Sequence, residues 1–246
     1  MRDNHLHTYF SYDSDADFRE YLESYDGEIV TTEHFDLSNP YAGRHSDDIP
    51  YYTQYQNKID QLNKEYGNRI KKGIEIGYYA PRKDDILSFL SDKTYDLKLL
   101  SVHHNGEFDY LEDAVFKLDK MKHINDYLET LIEAMDNIEA DVLAHFDYGF
   151  RKLSVTVEEL KLLEETLKSV FEKMIAHQLA FELNAKSMYL YGNKELYCYA
   201  LSLIVELGGQ KFSVGSDAHC LEHFRLEFAD IENILKSYGI RNEMII

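Results

Sequence analysis

The chain alternates short apolar runs with longer stretches of helical periodicity, and this alternation restricts its possible folds more than any other feature. The apolar runs predict seven β-strands: Asp3–His7, Glu28–His34, Arg69–Ile76, Leu97–His103, Asp141–His145, Ala180–Asn184 and Phe212–Ser216. A helix between two strands carries the chain back to the same end of the sheet, so repeated βα units imply parallel strands. The pattern therefore predicts an α/β fold.

The clearest helix is predicted over Thr156–His177. Its apolar residues recur at helical spacing and mark one buried stripe: Leu160, Leu163, Leu167, Val170, Phe171 and Met174. Thr156 with Glu159 three residues later forms a capping box, which fixes the start. The other predicted helices are Asp15–Ser24, Pro50–Tyr66, Asp84–Ser91, Ala114–Asn137, Lys194–Leu207 and Leu221–Ser237. With three prolines and no Ser/Gly linker, we expect residues 1–246 to form a single domain.

Side chains that commonly bind metal ions occur at or just beyond the ends of the predicted strands. Eight of the nine candidates lie there: His5, His7, His34, Glu75, His103, His145, Asp217 and His219. The ninth, Asp13, follows the first strand at a distance. A parallel barrel gathers its active-site groups at the C-terminal ends of its strands, whereas an open doubly wound sheet would use one switch point. The distribution favours the barrel.

Imidazole and carboxylate groups together suit zinc, iron or manganese better than calcium or magnesium. Any one of these side chains alone would more often be a satisfied polar residue at a strand end. The complete set is harder to explain without metal, because burying so many titratable groups unpaired would be costly. His5 and His7 are two residues apart, so both side chains can reach one ion.

The charge balance argues against a nucleic-acid partner. The chain has 26 basic and 45 acidic residues, a formal net charge of −19, and nucleic-acid binding depends on neutralising phosphates with Lys and Arg. We expect no membrane partner, since no apolar run approaches the length of a membrane span. The start has no apolar signal-peptide core, and Cys198 and Cys220 fit no disulfide framework or paired-thiolate zinc motif. These features predict a cytoplasmic protein with two reduced thiols.

The ligand candidates and their neighbours also carry a family resemblance. The ordered segments His5-Leu6-His7-Thr8, Thr32-Glu33-His34, Glu75-Ile76-Gly77, Ser101-Val102-His103, Ala144-His145 and Gly215-Ser216-Asp217-Ala218-His219 resemble the polymerase-and-histidinol-phosphatase (PHP) superfamily. The match spans nearly the whole chain. It implies a distorted (βα)7 TIM-like barrel with three divalent metal ions (Zn, Fe or Mn).

The resemblance also implies which residues hold each ion. His5, His7, Glu75 and Asp217 would bind the first, and Glu75 would bridge to a second ion completed by His103 and His145. The third would be held by Asp13, His34 and His219. Many relatives have histidine at the position of Asp13, and the neighbouring Asp15 and Asp17 are alternative ligands.

Such a site favours hydrolysis of a phosphate monoester, because metal ions neutralise phosphate oxygens and activate a bound water. We expect attack by a metal-bound hydroxide, with Glu75, Asp217 and His219 as candidate catalytic residues. The proton for the leaving group would come from Asp217, His219 or a metal-bound water.

Within the superfamily the chain most resembles monofunctional histidinol-phosphate phosphatases of the HisK/HisJ type. The supporting segments are Thr31-Thr32-Glu33-His34, Leu100-Ser101-Val102-His103-His104, Ala144-His145-Phe146-Asp147 and Glu182-Leu183-Asn184. This implies hydrolysis of L-histidinol phosphate in histidine biosynthesis. The alternatives are another small phosphate ester, such as a nucleotide, a sugar phosphate or a phosphotyrosine, and a non-catalytic barrel that only binds.

Basic residues are the candidates for contacting the substrate phosphate. The resemblance implies that Arg151 and Lys152 approach it, with Lys186 in place of a longer basic segment of the relatives. Arg44 and His45, in the loop over residues 39–50, form a second candidate group for substrate binding. The sequence predicts no oligomeric state.

Overall fold

A mostly parallel β-sheet forms the centre of the molecule. The computed structural model describes the backbone of residues 1–246 and every side chain except that of Ala42. The strands are β1 (Asp3–Leu6), β2 (Ile29–Asn39), β3 (Ser46–Asp48), β4 (Ile70–Gly77), β5 (Leu97–Ser101), β6 (Val142–Leu143), β7 (Ala180–Asn184) and β8 (Phe212–Gly215).

The sheet closes almost completely into a barrel. Its strands are ordered β1-β2-β4-β5-β6-β7-β8, all parallel, and β3 pairs antiparallel with the end of β2. The two edges meet through a parallel bridge between Leu6 and Ala218. The amide of Asp217 donates to the carbonyl of His5 (2.9 Å), and the amide of His7 donates to that of Ala218 (2.9 Å). The predicted distorted seven-stranded α/β barrel is confirmed.

Helices surround this barrel. They are α1 (Phe18–Ser24), α2 (Tyr52–Tyr66), α3 (Lys83–Leu90), α4 (Lys120–Asn137), α5 (Val157–Lys161), α6 (Glu164–Ala176), α7 (Lys194–Glu206) and α8 (Phe228–Ser237). In the part of the chain that the structure describes, no helix is long and apolar enough to span a membrane.

The predicted helix Thr156–His177 is two helices. Thr156 and Glu159 form the expected capping box at its start. The amides of Leu162 and Leu163 then donate to carbonyls three residues back, which tightens the chain into a turn between α5 and α6. Leu162 is exposed there, so the apolar stripe is interrupted at the turn.

Two further predicted helices begin later than the periodicity suggested. In the first, Asp119 caps α4 by accepting a hydrogen bond from the amide of Lys122 (2.9 Å), and residues 113–117 form a separate 3-10 turn. In the second, Arg225 and Glu227 adopt left-handed backbone angles (φ 54° and 52°), which delays the start of α8. Apolar periodicity cannot detect either break, because both depend on local backbone geometry.

An apolar layer fills the barrel below the metal-ligand candidates. Val30, Leu99, Val142 and Ala180 form a small buried cluster of their own. Residues two apart on a strand share a face, so Val30 lies below His34 on the same side of β2. The larger core packs between the outside of the barrel and the helices. The barrel is therefore closed by side chains beneath the site.

Candidate metal centre

Glu75, the sixth residue of β4, lies at the centre of the ligand cluster and is fully buried. Its Oε1 lies 2.7 Å from Nε2 of His145 and 3.0 Å from Nε2 of His103. Its Oε2 faces three other imidazoles, and no group in the described part of the chain donates a hydrogen bond of good geometry to it. The two oxygens thus face two separate groups of nitrogen ligands, which is the arrangement of a bridging carboxylate.

His5, His7 and Glu75 have the spacing of ligands around one ion. The Nε2 atoms of the two histidines lie 3.1 Å apart, and they lie 3.3 and 3.4 Å from Oε2 of Glu75. Zinc ligands at about 2.0–2.1 Å in tetrahedral geometry lie roughly 3.3–3.4 Å from one another. All three side chains are buried, so these ligand atoms do not face solvent, and their spacing suits a cation shared between them.

A second group forms where β2 faces the segment after β8. Nε2 of His34 lies 3.3 Å from Nε2 of His219, and Asp13 places one oxygen 3.5 Å from His34 and the other 3.2 Å from His219. Asp17 instead caps α1, accepting a hydrogen bond from the amide of Arg19. The structure therefore brings Asp13 to the cluster and gives Asp17 a structural contact.

Asp217 joins the cluster from the end of β8 with a left-handed backbone (φ 55°), a conformation that Asp tolerates better than most residues. Its carboxylate oxygen lies near the ligand atoms of His5 and His145, which form a further possible three-ligand group. Lys186 and Arg151 also approach its two oxygens, at 3.2 and 3.3 Å. Asp217 thus lies between the histidines and the basic residues.

Several histidines are oriented by a second hydrogen bond. Nδ1 of His5 pairs with Glu182 (2.7 Å), Nδ1 of His103 pairs with Asp36 (2.8 Å), and Nδ1 of His7 contacts the Ser11 hydroxyl (3.1 Å). Metal-binding histidines usually have such a partner, which fixes the ring and makes it a better ligand. The sequence assigned no site role to these three polar residues.

Two glycines make room for this arrangement. A Cβ on Gly77 would collide with the Asp36 carboxylate, and one on Gly215 would collide with Glu182 and His5. Gly215 therefore permits a close approach between its backbone and these two side chains. Any larger residue at either position would displace a carboxylate that holds a histidine ring.

Electrostatics prepare the cluster for cations. Burial would raise the pKa of Glu75, but His5, His103 and His34 hold it well below its usual range. Burial lowers the pKa of His145, and burial together with His34 and His219 lowers that of His7. Neighbouring carboxylates outweigh burial and raise the pKa of His5, His34 and His103. Metal binds to an ionised carboxylate and to neutral imidazoles, so metal binding would release protons from these three rings.

The predicted substrate contacts fall at different distances from the cluster. Arg151 is buried beside Asp217, and Nζ of Lys186 lies 3.2 Å from Nδ1 of His219. Lys152 points elsewhere, because its ammonium group binds the Leu111 carbonyl (2.7 Å) and Asp113 (2.9 Å). In this structure Lys152 contacts the loop after β5 and does not reach the metal cluster, and its predicted phosphate contact stays a prediction.

The second candidate pair, Arg44 and His45, lies in the exposed loop between β2 and β3. The guanidinium of Arg44 lies 4.9 Å from the centre of the Tyr12 ring, and that ring lies 5.6 Å from His34. Arg44 is therefore at the rim of the site. His45 has a left-handed backbone (φ 47°) and an exposed side chain.

A buried network positions Arg151. The carboxylate of Asp147 accepts hydrogen bonds from Tyr197 (2.7 Å), Ser187 (2.8 Å) and Asn193 (2.8 Å). Asn193 also donates to the carbonyl of Arg151 (3.1 Å). Asp147 thus joins the loop after β6 to the π-helical turn that includes Lys186. The sequence showed Asp147 only as part of a motif.

The chain is similar in sequence to three curated proteins that are named as certain or probable histidinol-phosphatases. The chain is 29% identical to the probable histidinol-phosphatase of Clostridium acetobutylicum, over 95% of this chain and 91% of that protein. It is 27% identical to the histidinol-phosphatase of Lactococcus lactis, over 96% of this chain and 91% of that protein. The probable histidinol-phosphatase of Thermotoga maritima is 23% identical, over 97% and 93%. No protein-family model matches the chain.

The fold matches that of a solved structure over nearly its whole length. Histidinol phosphate phosphatase (HISK) from Lactococcus lactis, complexed with zinc, L-histidinol and phosphate, superposes with a TM-score of 0.87. The alignment covers 98% of this chain and 94% of that chain at 23% sequence identity. The match therefore extends from the strands of the barrel to the segments between them.

Proposed function

We propose that this protein is a metal-dependent histidinol-phosphatase that hydrolyses L-histidinol phosphate to L-histidinol and phosphate. The single observation that carries the proposal is the buried cluster around Glu75, with the cations of Arg151 and Lys186 at its edge. Such a site has ligands for cations and a separate positive wall for an anion. The proposal places the chain in histidine biosynthesis.

The comparisons support the choice of substrate. All three curated relatives are named as certain or probable histidinol-phosphatases, and each is matched over at least nine-tenths of its length. The solved structure of the same fold contains zinc, L-histidinol and phosphate. A zinc-binding phosphatase of this specificity accounts for all four findings together.

We assign three metal ions to the cluster. His5, His7, Glu75 and Asp217 would hold the first, and Glu75 would bridge to the second, held also by His103 and His145. Asp13, His34 and His219 would hold the third. The assignment is supported by the two faces of Glu75 and by the distances between ligand atoms.

Bound metal ions would neutralise the phosphate oxygens and lower the pKa of a coordinated water. The protein itself supplies the remaining contacts. Arg151 presents a planar group with several N–H donors that suits a phosphate, and Asn184 and Asp217 hold it in place at 3.4 and 3.3 Å. Lys186 adds a single mobile charge beside His219.

Asp217 is poorly suited to donate a proton to the leaving group. Burial would raise its pKa, but Lys186, His5 and Arg151 hold the pKa of Asp217 well below its usual range. An ionised carboxylate has no proton to give. The remaining candidates for proton donation are a metal-bound water and His219, whose ring lies between Asp13 and Lys186 and could donate only when it is not holding the third ion.

The substrate assignment is tested by steady-state kinetics on a panel of phosphate esters with zinc- and manganese-loaded protein. We expect kcat/KM for L-histidinol phosphate to exceed that for a nucleotide, a sugar phosphate and phosphotyrosine by roughly 100-fold or more, the scale at which a site binds the substrate's own polar groups. Equal values across the panel would contradict the assignment. Glu75→Gln, which removes the bridging charge, is the inactive control.

A further inference from the structure

A cavity of about 420 Å³ adjoins the metal centre, and neither Arg151 nor Lys186, the proposed phosphate contacts, lines it. It lies between the segment after β1 and the β2–β3 hairpin, and His34 forms part of its wall. We call it the hairpin cavity. Since His34 is also a proposed metal ligand, a molecule bound by its phosphate at the metal centre can extend over His34 into this space.

Two neighbouring carboxylates line the hairpin cavity, and among the described side chains only Asp47 of the two forms an ion pair. Both oxygens of Asp47 lie within 3.3 Å of the Arg82 guanidinium, and the amide of Ser38 donates to the same carboxylate. Asp48 forms no ion pair within the described side chains, and its Oδ2 is buried without a hydrogen-bond donor. Among the described side chains, Asp48 accepts a long hydrogen bond from the Ser46 hydroxyl (3.5 Å) at its other oxygen.

The surroundings of Asp48 compensate its negative charge only in part, because Arg44 and His34 act against burial and Asp36. It lies opposite Asp36 in the register of the hairpin, so a second carboxylate is its neighbour. Burial and Asp36 raise the pKa of Asp48 to about 6, which still leaves it ionised at neutral pH. The nearby Arg44 lies over the Tyr12 ring and forms no ion pair with Asp48, although its charge favours the ionised carboxylate. A cation in the cavity would complete this group.

Aromatic side chains give the cavity a second means of binding a cation. Tyr12 and Tyr51 line it, and the Tyr12 ring lies against His34. Tyr51 is 73% exposed, so its ring is open to a ligand. Tyrosine faces attract ammonium, guanidinium and imidazolium groups. Carboxylate and aromatic rings together select a positively charged organic group.

We propose that Asp48 is a specificity-determining residue, which binds the protonated amine or imidazolium of the substrate while the phosphate is held at the metal centre. This inference rests on the proposed function, since it takes the leaving group to be a cationic amino alcohol. It adds a second recognition site, on the β2–β3 hairpin, at a distance from the reacting atoms. Phosphate esters of uncharged alcohols would gain no binding energy from this second site.

The test compares Asp48→Asn with the unchanged protein on two substrates, L-histidinol phosphate and the uncharged-alcohol ester glycerol 2-phosphate. We expect kcat/KM for histidinol phosphate to fall roughly tenfold or more, the scale of one hydrogen bond to a charged group, mainly through KM. The value for glycerol 2-phosphate stays within about twofold. Inhibition by L-histidinol, which lacks the phosphate, weakens by a similar factor.

Glu172→Gln is the matched control, because it removes one negative charge from an exposed position on α6 and should change neither substrate. Bound metal and the unfolding midpoint are measured for each variant. Equal losses on both substrates, or loss of metal from Asp48→Asn, would overturn the inference, because Asp48 would then act through the metal centre. An unchanged preference for histidinol phosphate in Asp48→Asn would also overturn it.

These outcomes are separate from failure of the proposed function. If the unchanged protein shows no preference for histidinol phosphate, the substrate assignment itself fails. If it shows the preference and Asp48→Asn keeps it, only the role of the hairpin cavity is rejected.

Discussion

Individual residues of the metal centre depend on partners that are distant in the chain. His103 is an example, because its ring contacts Glu75 on one side and Asp36 on the other. Burial would lower the pKa of His103, but Asp36 and Glu75 raise it to about 10. Without metal, both ring nitrogens would therefore carry protons, Nδ1 toward Asp36 and Nε2 toward Glu75. A metal ion that binds Nε2 would displace its proton, and the Asp36 hydrogen bond would keep the one on Nδ1.

Replacing Asp36 with Asn should weaken this orientation without removing a ligand. We expect metal affinity or activity to fall roughly 10- to 100-fold, the usual effect of losing a hydrogen bond behind a metal-binding histidine. Metal titration of the depleted protein measures the affinity directly. Asp136→Asn is the matched control, since Asp136 contacts His177 in the same way (3.3 Å) on the surface. Similar affinities for the two variants would contradict the role of Asp36.

Among the elements, α4 supports the loop that includes Arg151. His123 on α4 is buried, and its Nε2 donates to the carbonyl of Gly149 (2.7 Å). Burial lowers the pKa of His123 below 6.5 in the folded protein. The unfolded chain therefore takes up this proton more readily, and the contribution of His123 to stability is present above pH 6.5 and is lost as pH falls.

His123→Gln should reduce the acid sensitivity of the fold, because glutamine can still donate to Gly149 but does not titrate. Between pH 6.5 and the lower folded-state pKa, the unchanged protein should lose up to about 1.4 kcal/mol of unfolding free energy per pH unit more than the variant. Urea unfolding of each protein at pH 7 and at pH 5.5 measures how much unfolding free energy it loses between these two pH values. Parallel losses in both proteins would show that His123 does not contribute.

At the scale of the whole molecule, closure of the barrel brings ligands from the two ends of the chain together. His5 lies in the first strand and His7 directly follows it, and Asp217 and His219 lie just beyond the end of the last strand. A metal ion bound between them connects the two edges of the sheet. Metal binding should therefore contribute to the stability of the entire fold.

Removal of metal with a chelator should abolish activity and destabilise the protein. Ligand binding at a thousand times Kd contributes about 4 kcal/mol, which in a chain of this size corresponds to roughly 10 °C in Tm. Calorimetry of the loaded and depleted protein measures the shift, and re-addition of zinc should reverse it. Identical Tm values for the two forms would show that the cluster does not bind metal tightly.

Much of the architecture was predictable because it depends on local pattern. The seven parallel strands follow from short apolar runs, and the start of α5 follows from Thr156 and Glu159. Boundaries set by backbone geometry were not predictable. The turn at Leu162 and the left-handed residues before α8 leave no mark in hydrophobic periodicity.

The candidate site was also predictable only in part. All nine predicted ligands come together, because strand ends of a parallel barrel share one rim. Asp36, Glu182 and Asp147 were missed as supporting residues, and the turn of Lys152 toward Leu111 and Asp113 was not foreseen, since the direction of a side chain depends on neighbours distant in sequence. The metal roles of the nine residues stay predictions that the titrations above would test.

The sequence by itself therefore determined the barrel and the chemical type of its rim, because both depend on strand periodicity and on residue types at strand ends. Only the tertiary structure decided that Glu75 presents its two oxygens to separate groups of histidines, and that Asp47 pairs with Arg82 whereas Asp48 forms no ion pair among the described side chains. The physical reason is that coordination and charge pairing depend on distances of 3–4 Å between side chains from different strands. Those distances are fixed only when the barrel closes.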